Sequence, residues 1–139
     1  MPDAPNPPSL PLILARELAS NLATPMFLVD RDGMLVFYND AAELVIGKPF
    51  ADLGAVDALE FGSVLQMTEL DGAPIRRRFS PAGIAFGERR PSHQQLLVTG
   101  YDGSRHAVEA TAYPLLGGRD ELHGVMVVFW ESPPPGVSA

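Results

Sequence analysis

The chain has 139 residues, a net charge of −7 and no cysteine. That length is one domain's worth and supplies one hydrophobic core, and the acidic balance argues against nucleic acid or an anionic membrane surface as partner, since either needs a basic face. The missing thiols remove disulfides, thiolate metal sites and cysteine nucleophiles, and with no apolar run of membrane length and no signal-peptide pattern the expected setting is cytoplasmic.

Residues 1–9 open with four prolines in the first eight positions, so they are expected to lack regular structure. Ser9 can cap a helix over residues 10–22, with Pro11 in its first turn. Leu10, Ile13, Leu14, Leu18 and Leu22 fall at spacings of three and four and form one apolar stripe. That stripe either lays the helix on the domain's own sheet or pairs it with a second copy, and the residues leave both open.

Residues 26–29 and 34–38 are short apolar, β-prone runs. Asp30-Arg31-Asp32-Gly33 joins them as a hairpin, with Gly33 free to take the positive φ such turns require. Asn39 has the side-chain oxygen to cap a helix starting at Asp40, and Gly47 with Pro49 stops it.

In residues 50–65, Ala51, Leu53, Leu59, Phe61, Val64 and Leu65 read as short helical turns over a sheet, broken by Gly54 and Gly62. Residues 66–79 read as a loop, with turn chemistry in Leu70-Asp71-Gly72-Ala73-Pro74. The only basic run, Arg76-Arg77-Arg78, lies here. It has no second basic cluster nearby, so it reads as a solvated loop or a local match for the acidic surface.

Ser80-Pro81 opens a helix over residues 82–89 that carries Ile84, Ala85 and Phe86. Gly83 and Gly87 each weaken it by about 1 kcal/mol relative to Ala. Three strands follow, over residues 94–101, 106–116 and 122–130, the first two joined by Asp102-Gly103. In the second, Val108, Ala110 and Ala112 alternate with Glu109, Thr111 and Tyr113. The third is apolar almost throughout, as a central strand covered on both faces must be. Val125, Val127 and Phe129 share one side of it, and Met126, Val128 and Trp130 the other. Residues 132–139, with Pro133-Pro134-Pro135, end regular structure.

No catalytic constellation emerges. His93, His106 and His123 sit at strand ends or turns beside polar residues and read as exposed loop histidines. No two share the spacing of a helical ligand pair, so no metal is expected. Asp30 and Asp32 read as turn residues, and no glycine-rich phosphate loop is present.

Two stretches carry a family resemblance. FLVDRDGMLVFYNDAAELVIG (residues 27–47) resembles the opening of a PAS domain, with its first hairpin and asparagine-led helix. HAVEATAYPLLGGRDELHGVMVVFWE (residues 106–131) resembles the closing hairpin of that family. The resemblance spans residues 22–131 and implies a single α+β domain over residues 23–131. Its sheet would be five-stranded and antiparallel, with helices over one face and the N-terminal helix added. It implies a non-catalytic module for signal sensing or protein–protein association.

The resemblance also bears on cofactors. The light-sensing flavin branch and the branch with a linked chromophore both use a cysteine, which this chain lacks. Haem-binding relatives commonly supply a histidine from the helix that here spans residues 82–89; it has none, and His93 lies beyond Pro91. No cofactor is expected. Non-covalent flavin stays open, although the inner face offers Val108, Ala110 and Ala112 rather than the amides relatives use.

By the same resemblance Phe129 faces inward. With Phe37, Ile84, Phe86, Leu97, Val108, Ala110, Ala112 and Val127 it would line a cavity for a small apolar ligand, or the set would fill the interior as solid core, the more usual outcome for an apolar stripe. Leu10, Leu14, Leu18, Met126, Val128 and Trp130 are the candidates for a homodimer or partner interface. PAS modules usually signal through a C-terminal helix, which Pro133 to Pro135 would block. The expected output is therefore in trans, through a homodimer or a separate signalling protein. The alternatives are a constitutive dimerisation module with a solid core, and a small isomerase-like enzyme on a cone-like α+β fold. The latter needs an acid/base pair that the proposed lining does not contain.

Overall fold

The computed structural model describes residues 9–132. The expected irregular ends lie outside the described residues, apart from Ser9 and Ser132. Helix α1 (Leu10–Ser20) starts where Ser9 Oγ accepts the Leu12 amide, with Pro11 in its first turn. Strands β1 (Met26–Asp30) and β2 (Met34–Tyr38) form the first hairpin. Gly33 turns it at φ +84°, and Asp30 Oδ1 accepts the amides of Asp32 and Met34, the turn role expected of it. Helix α2 (Asp40–Ile46) follows and ends at Gly47 in the left-handed region.

Helix α3 (Phe50–Leu53), strand β3 (Val56–Asp57) and helix α4 (Ala58–Val64) come next, α4 being capped by Asp57. A long connection with a single 3-10 turn at Arg77–Phe79 leads to helix α5 (Pro81–Glu88). Strands β4 (Ser92–Thr99), β5 (Arg105–Leu116) and β6 (Leu122–Glu131) complete the chain.

The strands form one antiparallel sheet in the order β3-β2-β1-β6-β5-β4, so the first and last hairpins meet along β1 and β6. The sheet has six strands rather than five. The extra one, β3, pairs only Val56 and Asp57 with β2, too few residues to leave a periodic signal. Central β6 is buried on its inner face but only partly covered on its outer one, where Met126 and Val128 are half-buried and Trp130 is exposed, so the expected cover on both faces is incomplete. Val125, Val127 and Phe129 join the large inner core, while Met126 packs outward against Leu12, Ala15 and Leu28.

Helix α1 lies on the outer face of its own sheet, but not through the expected stripe. Leu12, Ala15 and Ala19 are the buried positions, and Leu10, Leu14 and Leu18 stay 65%, 59% and 52% exposed. Gly124 of β6 sits beneath the helix, where an added Cβ would collide with the Val29 carbonyl of the neighbouring strand and lie 3.2 Å from Leu12 Cδ1. The side of the helix that packs is the one carrying Leu12 and Ala15, against Leu28 and Met126.

Asn39 ties the two sides of the sheet together. Its buried side chain accepts the amides of Met26 and Ala42, both at 3.1 Å. Its Nδ2 donates to the carbonyls of Ala19 and Thr24, both at 2.9 Å. One amide thus caps α2, starts β1 and fixes the end of α1. No helix among the described residues is long and apolar enough to cross a membrane.

Candidate functional site in the concave face

The curled inner face of β1, β4, β5 and β6, the helices α4 and α5 and the connection over residues 66–80 form a cavity of about 1210 Å³ that opens to solvent. Pockets that bury a drug-sized molecule commonly run to roughly 300–1,000 Å³. The pocket borders a packed core: Val108, Val125 and Val127, which line it, also belong to the buried inner cluster. The strands contribute Phe27, Val29, Leu96, Val98, Val108, Ala110, Val125, Val127 and Phe129. From α4 come Phe61 and Gly62, and from α5 Ala82, Gly83, Phe86 and Gly87.

Among the nine residues expected to line this space, Phe86, Val108, Ala110, Val127 and Phe129 do so. Ala112 is buried in the same core without lining the cavity. Phe37 and Leu97 lie on the other face. Phe37 is opposite Leu28 in the β1–β2 pairing and packs in the outer cluster, under the Arg16 guanidinium at 4.8 Å. In β4 it is Leu96 that stands opposite Val108, which turns Leu97 outward. Ile84 falls off the α5 stripe of Ala82, Gly83, Phe86 and Gly87.

Sequence reasoning missed Phe27, Val29, Leu96 and Val98. Alternation along β1 carries a signal for the first two. For the other two, the unbroken apolar run Leu96-Leu97-Val98 hides the phase. Gln94 was also missed. It is an amide on the inner face opposite Ala110, outside the cavity lining, and its Oε1 is buried with no partner among the described residues.

The lining carries ionisable groups, contrary to the expectation from sequence. Arg31, Asp32, Asp57, Arg76 and Arg78 stand around its mouth. The Asp57 carboxylate is occupied by the amides of Leu59 and Glu60, and Arg31 faces Glu121 at 3.9 Å. The remaining lining is mainly apolar, with Ser63, Gln66, Thr68 and Ser80 as its polar, non-ionisable members. Beside the cavity, burial pushes the Tyr38 hydroxyl up to about 12, helped by Tyr101, Glu43 and Asp52. That hydroxyl donates to the Lys48 carbonyl.

The histidines differ from the exposed set expected. His93 is exposed and contacts Thr111 and Glu109, while His106 and His123 are largely covered. His106 places Nε2 at 2.9 Å from Ser104 Oγ and Nδ1 on Glu131. That order resembles a nucleophile–base–acid relay. However, Ser104 Oγ also lies 2.6 Å from Asp102 Oδ1, and hydrogen bonds from Ser104 hold the Asp102 carboxyl below its usual range. A serine has one proton, and here it goes to Asp102 rather than to His106, so the hydroxyl is not set up as a nucleophile. The chain of contacts clasps the β4–β5 hairpin to the end of β6, outside the cavity. Among the described residues no three His, Asp or Glu side chains gather as a metal site.

The proposed interface residues do not form one patch. Leu10, Leu14 and Leu18 line the exposed side of α1, and Met126 lies beneath that helix. Trp130 is 40% exposed on the open outer sheet, with its indole N–H on Glu109 and its ring beside His93.

No protein-family model and no curated protein matches the sequence. Solved structures share the fold. The PAS domain of the fruit-fly ELK potassium channel superposes with a TM-score of 0.67 at 9% identity, covering 86% of this chain and 95% of that one. The PAS domain of Bordetella pertussis BvgS gives 0.56 at 19% identity, with 89% and 87% covered. The light-state dimer of the fungal blue-light photoreceptor Vivid gives 0.60 at 14% identity, with 92% and 97% covered. At these identities the likeness is one of fold.

Proposed function

We propose that this chain, whose fold is that of PAS domains, is a non-catalytic sensing and interaction module gated by a small apolar molecule held in its concave cavity. The observation that carries this reading is the hollow itself. A folded domain gains by filling an apolar void, and a molecule that binds only the folded state stabilises it in proportion to its occupancy. The floor of the cavity is formed by Val125, Val127 and Phe129 of β6, whose neighbour Met126 lies beneath α1. A shift of that strand would reach α1 directly. The exposed Leu10, Leu14 and Leu18 would then carry the change to a second copy of the chain, with a separate signalling protein as the other destination.

Native mass spectrometry of freshly purified protein tests this. The expected spectrum shows a dimer, and a bound small molecule or saturable uptake of an added one. It would also register a non-covalent flavin by mass. A dimer without bound mass or uptake would leave a constitutive association module instead.

A further inference from the structure

The cavity mouth carries charge that a purely apolar ligand does not need. In a chain with 10 basic residues against 17 acidic ones, the only basic run lies at this opening, and Arg76 and Arg78 both line it. Both are exposed, and no carboxylate among the described residues pairs with either. Arg78 stacks over the Phe79 ring at 4.9 Å, which orders its guanidinium without neutralising it. Of the acids at the mouth, Asp57 is spent as a helix cap, leaving Asp32 as the one carboxylate without a cap role. The opening therefore offers two unpaired guanidinium groups above apolar walls.

Resting on the gated-cavity reading, we propose that the molecule held there is an amphiphile, with an apolar body in the hollow and an anionic head of the carboxylate class at Arg76 and Arg78. A guanidinium presents paired N–H donors that match a carboxylate, and the bond is strengthened by charge on both sides. A loop arginine at an aqueous opening can reach such a head without being desolvated. The walls below supply binding area without direction, and the arginines set which end stays outside.

Calorimetric titration of the full chain with decanoate, decanol and decylammonium tests this. Each probe is kept below its aggregation limit. Decanoate is expected to bind about tenfold more tightly than decanol, with the advantage shrinking as salt is raised. Replacing both arginines (Arg76→Gln with Arg78→Gln) is expected to remove that advantage and leave decanol binding unchanged. The Lys pair, Arg76→Lys with Arg78→Lys, should restore part of it, and circular dichroism verifies that each variant is folded. Equal affinity for decanoate and decanol, or a preference for decylammonium, overturns the anionic-head proposal and leaves the apolar-cavity reading standing. Failure of all three probes to bind overturns both.

Discussion

On the outer face of the sheet, α1 packs Leu12 and Ala15 against Leu28 and Met126, with Gly124 of β6 under Leu12. On the inner face, α5 packs with Ala85 fully buried, while its residues Ala82 and Phe86 border a pocket of about 1210 Å³ that reaches Ala110, Val127 and Phe129. Both helices pack on the sheet, and small residues serve both contacts. Only the inner layer, where Phe27 meets Phe61 at 5.6 Å and Phe129 at 6.1 Å, leaves an apolar opening beside the packed core. Small residues alone do not specify a pocket.

The largest expected effect comes from breaking the tie between the two sides. Asn39→Ala removes the α2 cap and strands the carbonyls of Ala19 and Thr24, and is expected to cost about 3 kcal/mol in urea denaturation. A matched pair of substitutions then sharpens the contrast itself. Ala15→Leu, on the tight side, is expected to destabilise by about 2 kcal/mol through overpacking. Ala110→Leu, bordering the pocket, should change stability by less than about 1 kcal/mol if the larger side chain extends into that space. Equal losses from the two would erase the distinction.

The edge of the inner layer is sensitive to alkali. Tyr38 ionises near 12 in the folded chain and near 10 when unfolded. Its contribution is therefore fully present below pH 10 and is lost as pH rises from about 10 towards 12. Urea denaturation across that range is expected to show a steeper alkaline fall in the wild type than in Tyr38→Phe. The smallest effect on stability belongs to the outermost surface. Leu14→Glu, at a side chain 59% exposed, is expected to move the unfolding free energy by about 0.5 kcal/mol or less. If the leucine side of α1 joins two copies, the same change converts dimer to monomer in sedimentation. A dimer that persists would move the interface elsewhere, with the open sheet around Trp130 next to examine.

Much of this architecture was legible because its signals are local. Ser9, Asn39 and Ser80 cap the helices expected of them, and Gly33 makes the turn that its position demands. The alternation in β5 and β6 gave both faces correctly. What could not be read depends on contacts distant in sequence. Leu96-Leu97-Val98 is apolar in either phase, and only the register with Val108 decides which side chains turn inward. Phe37 goes outward for the same kind of reason, through its pairing with Leu28. In α1 the leucine stripe is the more hydrophobic side, yet Leu12 and Ala15 are what pack on the sheet, and their partners Leu28, Met126 and Gly124 lie on other elements. Whether an apolar face is filled or hollow has no local signature, and neither does the arrival of a loop arginine at its opening.

The central claim, that the hollow is a place of binding rather than a packing defect, is met most directly by titrating decanol into the wild type and Ala110→Leu and following thermal unfolding. Saturable stabilisation of the wild type that is weakened or absent in the filled variant is the expected result. The same response in both proteins, or none in either, would contradict it.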